Sequence, residues 1–129
     1  MSAQKLKIMV LDDEPIVCKR LQPALEKLGY EVDTFTQSLE ALHQIQEATY
    51  DIIITDLKMK GIDGMRFLQE AKKKHPATEV IVITGFATLE TAKESFQKGV
   101  FDFIAKPFKL SEIQEVVTKA AAKIRGAGA

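Results

Sequence analysis

The sequence has one cysteine, no long apolar run and no net charge. Its eighteen basic and eighteen acidic residues balance, so no global field draws the chain to nucleic acid or to an anionic membrane. Cys18 has no partner for an internal disulfide, and the start MSAQKLK lacks the apolar stretch of a signal peptide. No run approaches the roughly 20 apolar residues that a membrane-spanning helix needs. These absences predict a cytoplasmic protein that binds neither nucleic acid directly nor a membrane.

The length of the chain predicts one domain. At 129 residues the chain is long enough for one hydrophobic core and short for two, because domains cluster near ~100–150 residues. We therefore expect a single domain over residues 1–129 with a core of about 5–125. The closing GAGA, residues 126–129, is expected to be a flexible tail.

Five segments have the composition of β-strands. KIMVL (7–11), DIIIT (51–55) and VIVIT (80–84) are almost continuously apolar and rich in β-branched residues, as strands covered on both faces should be. YEVDTF (30–35) and FDFIA (101–105) mix apolar and polar positions, as expected where a strand meets water. The first three are predicted to be central strands and the last two to be edge strands.

Helical patterns alternate with these strands, and this alternation is typical of an α/β domain with a parallel sheet. Apolar residues recur at spacings of three and four, which predicts five helices that pack on both faces of the sheet. Gly29 and Gly99 are placed to end the first and fourth helices. The five stripes expected to face the core are Val17, Leu21, Ala24, Leu25 and Leu28; Ala41, Leu42 and Ile45; Gly64, Phe67, Leu68 and Ala71; Leu89, Ala92 and Phe96; and Ile113, Val116, Val117, Ala120 and Ile124.

Polar residues stand at the carboxyl ends of the predicted strands. Asp12 and Asp13 follow the first strand, Asp56 the third, Thr84 closes the fourth, and Lys106 follows the fifth. In open parallel sheets the ligand crevice lies at this edge, where the strand order reverses. These side chains are therefore expected to converge, although they are far apart in the sequence.

Three carboxylates and one lysine predict a site for a divalent cation and a phosphoryl group. Magnesium prefers oxygen ligands and commonly keeps several waters, so a few carboxylates and a backbone carbonyl suffice to hold it. Asp56 then becomes a candidate nucleophile, because the metal and Lys106 can stabilise charge on the transferring oxygens. Thr84 is placed to donate a hydrogen bond to the product.

At these residues the chain resembles a response-regulator receiver domain of two-component signalling. The resemblance spans about residues 5–125 and rests on LDDE after the first strand, TD closing the third, TG closing the fourth and KPF after the fifth. Each motif is weak alone, but the combination at these strand ends is specific. The stretch TGFATLETAKESFQKGVFDFIAKPF looks closest to receivers of enhancer-binding transcriptional activators.

The resemblance implies a flavodoxin-like, doubly wound fold of five parallel strands in the order 2-1-3-4-5 with five helices. It implies that Asp56 accepts a phosphoryl group from a sensor histidine kinase. It further implies that Asp12, Asp13 and Asp56, with the backbone carbonyl of Lys58, hold Mg²⁺, and that Lys106 binds the phosphoryl group. The domain would be no enzyme beyond its own phosphoryl transfer and slow self-dephosphorylation.

Signalling residues and partners are also implied by the resemblance. The peptide before Pro107 is expected to be cis, and Thr84 and Phe103 are expected to act as the switch that alters the surface of helix four, strand five and helix five. A downstream output domain or effector protein would read that surface, and the family allows a phosphorylation-dependent homodimer.

The lifetime of the phosphoryl group is expected to depend on its neighbours. The resemblance places Lys58 and Phe86 beside the phosphoryl group, and neither supplies a carboxylate or amide able to orient an attacking water. Gly85 adds no side chain and keeps access open for a donor imidazole. Slow self-dephosphorylation is the expectation.

Other interpretations compete with this one. Asp12 and Asp13 are also suited to cap a helix, since DDEP precedes a helical pattern. An aspartate-nucleophile phosphatase typically has a second aspartate two positions after the first, where this chain has Lys58. A flavin- or nucleotide-binding domain would need a loop that cradles phosphate, and DDEPI would repel it. The second-ranked function is a pseudo-receiver that binds partners without phosphorylation.

Overall fold

The computed structural model describes residues 5–59, 61 and 63–127, and in these residues five strands alternate with five helices. The strands are β1 (Lys7–Leu11), β2 (Glu31–Phe35), β3 (Ile52–Thr55), β4 (Glu79–Thr84) and β5 (Asp102–Ala105). The helices are α1 (Pro15–Glu26), α2 (Ser38–Glu47), α3 (Gly64–Lys74), α4 (Leu89–Gln97) and α5 (Leu110–Ala127). The predicted order of elements is confirmed.

The five strands form one parallel sheet in the order β2-β1-β3-β4-β5. Every residue of β3 and β4 is buried, which confirms their central positions, whereas β2 and β5 have partly exposed residues and lie at the edges. The order of the strands reverses at β1, because β2 lies on one side of β1 and β3 on the other. A crevice opens at such a switch point.

The core has two parts because side chains alternate across the pleated sheet. Ile8 and Val10 of β1 point into a cluster with α1 and α5, whereas Met9 and Leu11 point into a cluster with α2 and α3. Both faces of the sheet are therefore covered, as the apolar composition of its central strands predicts.

The prediction that α4 packs its apolar stripe on the core is wrong. Leu89 is 87% exposed and Phe96 is 50% exposed, and Ser95 is the residue that α4 buries. A small side chain faces the sheet near its β5 edge, so the larger apolar side chains of this helix point outward. Leu28 is also exposed, because α1 ends at Glu26 and the chain turns at Gly29, where φ is +100°.

The C-terminal helix extends into the segment that was predicted to be a flexible tail. Helix α5 continues to Ala127, and residues 128 and 129 of the predicted tail lie outside the described residues.

Gly99 has a φ of +91°, the left-handed conformation expected after α4. Within the described part of the chain, no helix has the length and apolar character to cross a membrane.

Candidate functional site

The register of the sheet brings the acidic strand ends together. Leu11 of β1 pairs with Thr55 of β3, so the residues that follow them, Asp12 and Asp56, are neighbours. The Asp56 N–H donates to Leu11 O at 3.1 Å, which extends the β1–β3 ladder to the phosphoacceptor candidate. Asp12, Asp13 and Asp56 each offer a carboxylate oxygen, and these oxygens lie within 4.8 Å of one another.

Lys106 reaches this acidic cluster from the end of β5. Its backbone N–H donates to Thr84 O at 2.8 Å, and the peptide that joins it to Pro107 is cis. Lys106 Nζ lies 2.7 Å from Asp12 Oδ2, 2.9 Å from Asp56 Oδ2 and 2.7 Å from Glu14 Oε1. Glu14 belongs to the LDDE motif, but the sequence predicts no role for it, because an exposed glutamate before a helix resembles an ordinary solvated charge.

The charges of this site are strongly coupled. Burial raises the pKa of Asp12, since the carboxylate loses hydration, while Lys106 and the Glu14 N–H oppose this effect. Burial also acts to lower the pKa of Lys106, but contacts with Asp12, Asp56 and Glu14 outweigh it and raise that pKa above its ordinary value. The lysine is therefore held in its charged form by its acidic neighbours.

One oxygen of Asp12 accepts no aligned hydrogen bond from the described residues. Asp12 Oδ1 accepts from the Glu14 N–H at 2.9 Å, whereas Oδ2 is buried and accepts no hydrogen bond from the described residues. Lys106 Nζ approaches Oδ2 as an ion pair, without hydrogen-bond alignment. Buried carboxylate oxygens are costly without partners. The acidic cluster therefore fits a divalent cation with oxygen ligands.

The backbone around Asp56 fixes its carboxylate. Asp56 Oδ1 accepts the Leu57 N–H at 2.6 Å and the Lys58 N–H at 3.3 Å, while Oδ2 faces Lys106. Gly64, the first residue of α3, packs against this backbone so closely that a Cβ there would overlap Asp56 O and the Leu57 Cα. The spacing of apolar residues predicts only that Gly64 lies on a core stripe and gives no signal of this second constraint.

The remaining predicted residues lie around the cluster. Thr84 is fully buried, and its Oγ1 accepts the Phe86 N–H at 3.1 Å. A Cβ added at Gly85 would meet no atom within 4 Å, so the chain is open there. Lys58 Nζ lies 5.3 Å from the centroid of the Phe86 ring, which is a cation–π contact between the loops that follow β3 and β4.

Phe103 lies on the same face of the sheet as Thr84. Val82 pairs with Phe103 and Thr84 pairs with Ala105, so alternation puts Val82, Thr84 and Phe103 on one face. Phe103 is partly buried and packs against the core cluster that contains Val82. The structure thus brings the acids and Lys106 into contact. Phe103 lies outside this cluster, two residues before the Ala105 that pairs with Thr84.

Fold and site together define a phosphoryl-accepting signalling domain, and comparison with known proteins gives the same class. Residues 8–118 match the family described as "Response regulator receiver domain". The chain therefore belongs to the response-regulator receiver family. It is a receiver domain and not a classical enzyme.

Several known proteins are similar to this chain. It is 35% identical to the transcriptional regulatory protein ZraR of Salmonella typhimurium over 97% of this chain, and it spans 28% of that relative's length. A CheY-like receiver domain protein from Methanospirillum hungatei superposes with a TM-score of 0.92 at 25% identity, over 96% of this chain and 99% of the other. A response regulator from Burkholderia pseudomallei, solved with a phosphorylated aspartic acid and a calcium ion, gives 0.82 at 25% identity, over 98% and 74%.

A divalent cation should stabilise the fold through Asp12. Magnesium chloride at about a hundred times its dissociation constant should raise the free energy of unfolding by ~2.7 kcal/mol, because the ion binds the folded chain. Asp12→Asn should lose most of this gain, since an amide offers no negative charge to the ion, whereas Glu112→Gln on α5 should keep it. Urea unfolding with and without the salt measures both. An undiminished gain in Asp12→Asn would show that the cation does not bind this oxygen.

Proposed function

We propose that this domain is a magnesium-dependent switch in which Asp56 accepts a phosphoryl group. The observation that carries the proposal is that Lys106 Nζ contacts the buried Asp12 and Asp56 together, at 2.7 Å and 2.9 Å. A cation held this way stands where negative charge develops on transferring phosphoryl oxygens. Asp12, Asp13, Asp56 and the backbone carbonyl of Lys58 would hold Mg²⁺, which supplies further charge stabilisation when bound.

The chain's own groups have separate roles in the transfer. A carboxylate oxygen of Asp56 attacks the phosphorus; the bond from phosphorus to the donor nitrogen breaks, and that nitrogen keeps the electron pair. The Leu57 N–H holds the other carboxylate oxygen at 2.6 Å, so the nucleophile is oriented before the donor arrives. Lys106 offsets charge on the phosphoryl oxygens, and the absence of a side chain at Gly85 leaves an entry for the donor.

Membership of the receiver family supports a proposal for the donor and the reader of this switch. The proposed donor is the phosphohistidine of a sensor histidine kinase in the cytoplasm. The single receiver domain proposed for residues 1–129 corresponds to 28% of the length of ZraR, a transcriptional regulatory protein, so an output domain or effector is the proposed reader. A phosphorylation-dependent homodimer is an alternative reader. The phosphorylated aspartic acid of the Burkholderia relative supports Asp56 as the acceptor.

Incubation with Mg²⁺ and acetyl phosphate should add one phosphoryl group to the wild-type chain and none to Asp56→Asn. The adduct should be stable in acid and labile in base, because it is an acyl phosphate. Intact-mass measurement after each treatment tests the proposal. Equal labelling of the two proteins would contradict it, and no labelling of the wild type by small donors or a kinase would favour a pseudo-receiver that only binds partners.

Thr84 is proposed to couple the phosphoryl group to the outer surface. Its hydroxyl now accepts from the Phe86 N–H, and phosphorylation adds acceptor oxygens toward which that hydroxyl can donate. Movement of Thr84 frees space on the face that it shares with Phe103, which can then rotate inward. The exposed Leu89 and Phe96 of α4 give the neighbouring surface the apolar character that a partner can read.

Thr84→Ala should keep phosphorylation and lose the conformational response, because the methyl side chain cannot donate to the phosphoryl group. Thr84→Ser keeps the hydroxyl and is the matched control. Amide chemical shifts of α4 and β5, recorded with and without beryllofluoride, should change in the wild type and the serine variant and stay largely unchanged in the alanine variant. A full response from Thr84→Ala would disprove the coupling.

Lys58 and Phe86 are proposed to lengthen the life of the phosphoryl group. Hydrolysis needs a water in line with the scissile bond, and neither side chain has a group that accepts a hydrogen bond from that water. Their cation–π contact joins the two loops beside Asp56, and Phe86 remains 55% exposed, so its ring forms part of the rim. The pair thus lines the rim without presenting a group that positions water.

The double substitution Lys58→Asn with Phe86→Glu should speed phosphoryl loss about tenfold, because both new side chains can orient water and the contact between the loops is lost. Lys73→Asn with Phe96→Glu makes the same changes at exposed positions of α3 and α4 and should leave the rate unchanged. The decay of phosphorylated protein at saturating Mg²⁺ measures both. Equal rates in the wild type and the double variant would sink the proposal.

A further inference from the structure

Glu14 contacts the same ammonium group as the two buried aspartates, but from the solvent side. Lys106 Nζ donates to Glu14 Oε1 at 2.7 Å and to Asp56 Oδ2 at 2.9 Å, and it lies at ion-pair distance from Asp12. The side chain of Glu14 is 59% exposed, whereas those of Asp12 and Asp56 are 0% and 7% exposed. One of the three carboxylates around Lys106 is therefore in water.

This difference in exposure makes the Glu14 contact the one that can be given up. Buried carboxylates lose a compensating charge if Lys106 leaves them, whereas an exposed carboxylate regains full hydration when its ion pair opens. The Glu14 backbone stays fixed, because its N–H donates to Asp12 Oδ1 at 2.9 Å. The Glu14 side chain can therefore move while the loop that follows β1 keeps its position.

The place occupied by the Glu14 carboxylate is also one that suits an anion arriving from solvent. Lys106 is 14% exposed and contacts Asp56, so oxygens of a phosphoryl group on Asp56 would compete for the same N–H groups. Two anions at that place would repel each other. Phosphoryl transfer to Asp56 therefore requires that the Glu14 carboxylate move away from Lys106.

We propose that Glu14 is a place-holder for the phosphoryl group, and that its displacement from Lys106 is part of the barrier to phosphorylation. As the bond from Asp56 oxygen to phosphorus forms and the bond to the donor breaks with its electron pair leaving on the donor, Lys106 turns one N–H from Glu14 to a phosphoryl oxygen. No proton is transferred in this exchange. This inference rests on the proposed function and makes Glu14 a positioning residue that acts through Lys106.

Glu14→Gln should raise the rate of phosphorylation by acetyl phosphate about three- to tenfold, because a neutral amide competes weakly for an ammonium group. Glu112→Gln removes the same charge from an exposed site on α5 and should leave the rate unchanged. Mass spectrometry at successive times measures each rate in the presence of Mg²⁺.

The possible results separate this inference from the proposed function. A wild-type chain that accepts no phosphoryl group defeats the proposed function and the inference together. A phosphorylated wild type with an unchanged or slower Glu14→Gln defeats the inference alone, since Glu14 then does not hold the place or instead helps to aim Lys106. An equal gain in Glu112→Gln assigns the effect to the general field and also overturns it.

Discussion

One ammonium group compensates two buried carboxylates at the ends of neighbouring strands, and the rest of the site depends on this pairing. Asp12 is fully buried and Asp56 nearly so, which the fold can tolerate because Lys106 Nζ lies within 2.9 Å of an oxygen from each. The compensation is incomplete, because Asp12, Asp13 and Asp56 bring three carboxylates to one lysine, and Asp12 Oδ2 accepts no aligned hydrogen bond from the described residues. The domain is thus built with an excess of negative charge that a cation can relieve.

The sheet supplies the positions that this pairing needs. Parallel pairing of Leu11 with Thr55 sets Asp12 beside Asp56, and pairing of Thr84 with Ala105 directs Lys106 to the same edge. Gly64 lets α3 press against the Asp56 backbone, so the acceptor is held by main-chain contacts as well as by charge. A phosphoryl group would therefore bind at a buried centre with exposed side chains at its rim, namely Glu14, Lys58 and Phe86.

The sequence predicted the strands and their carboxyl-end residues because continuous apolar runs mark buried parallel strands and parallel pairing aligns their ends. It failed at α4, because a stripe at spacings of three and four shows that a helix is amphipathic and cannot show which partner covers it. The contact of Glu14 with Lys106 and that of Phe86 with Lys58 could not be predicted either, since they depend on how loops place exposed side chains. Gly64 was assigned to the core, and only coordinates reveal how closely its backbone approaches Asp56.

The most direct measurement is the affinity for Mg²⁺ with and without beryllofluoride, an analogue of the phosphoryl group, by calorimetry. If the excess carboxylates and Lys106 form one electrostatic unit, bound Mg²⁺ must increase the affinity for beryllofluoride, and bound beryllofluoride must increase the affinity for Mg²⁺. Thermodynamic linkage requires the same factor in both directions. The account predicts tighter Mg²⁺ binding with beryllofluoride and tighter beryllofluoride binding with Mg²⁺. Equal Mg²⁺ affinity in the two conditions would contradict it.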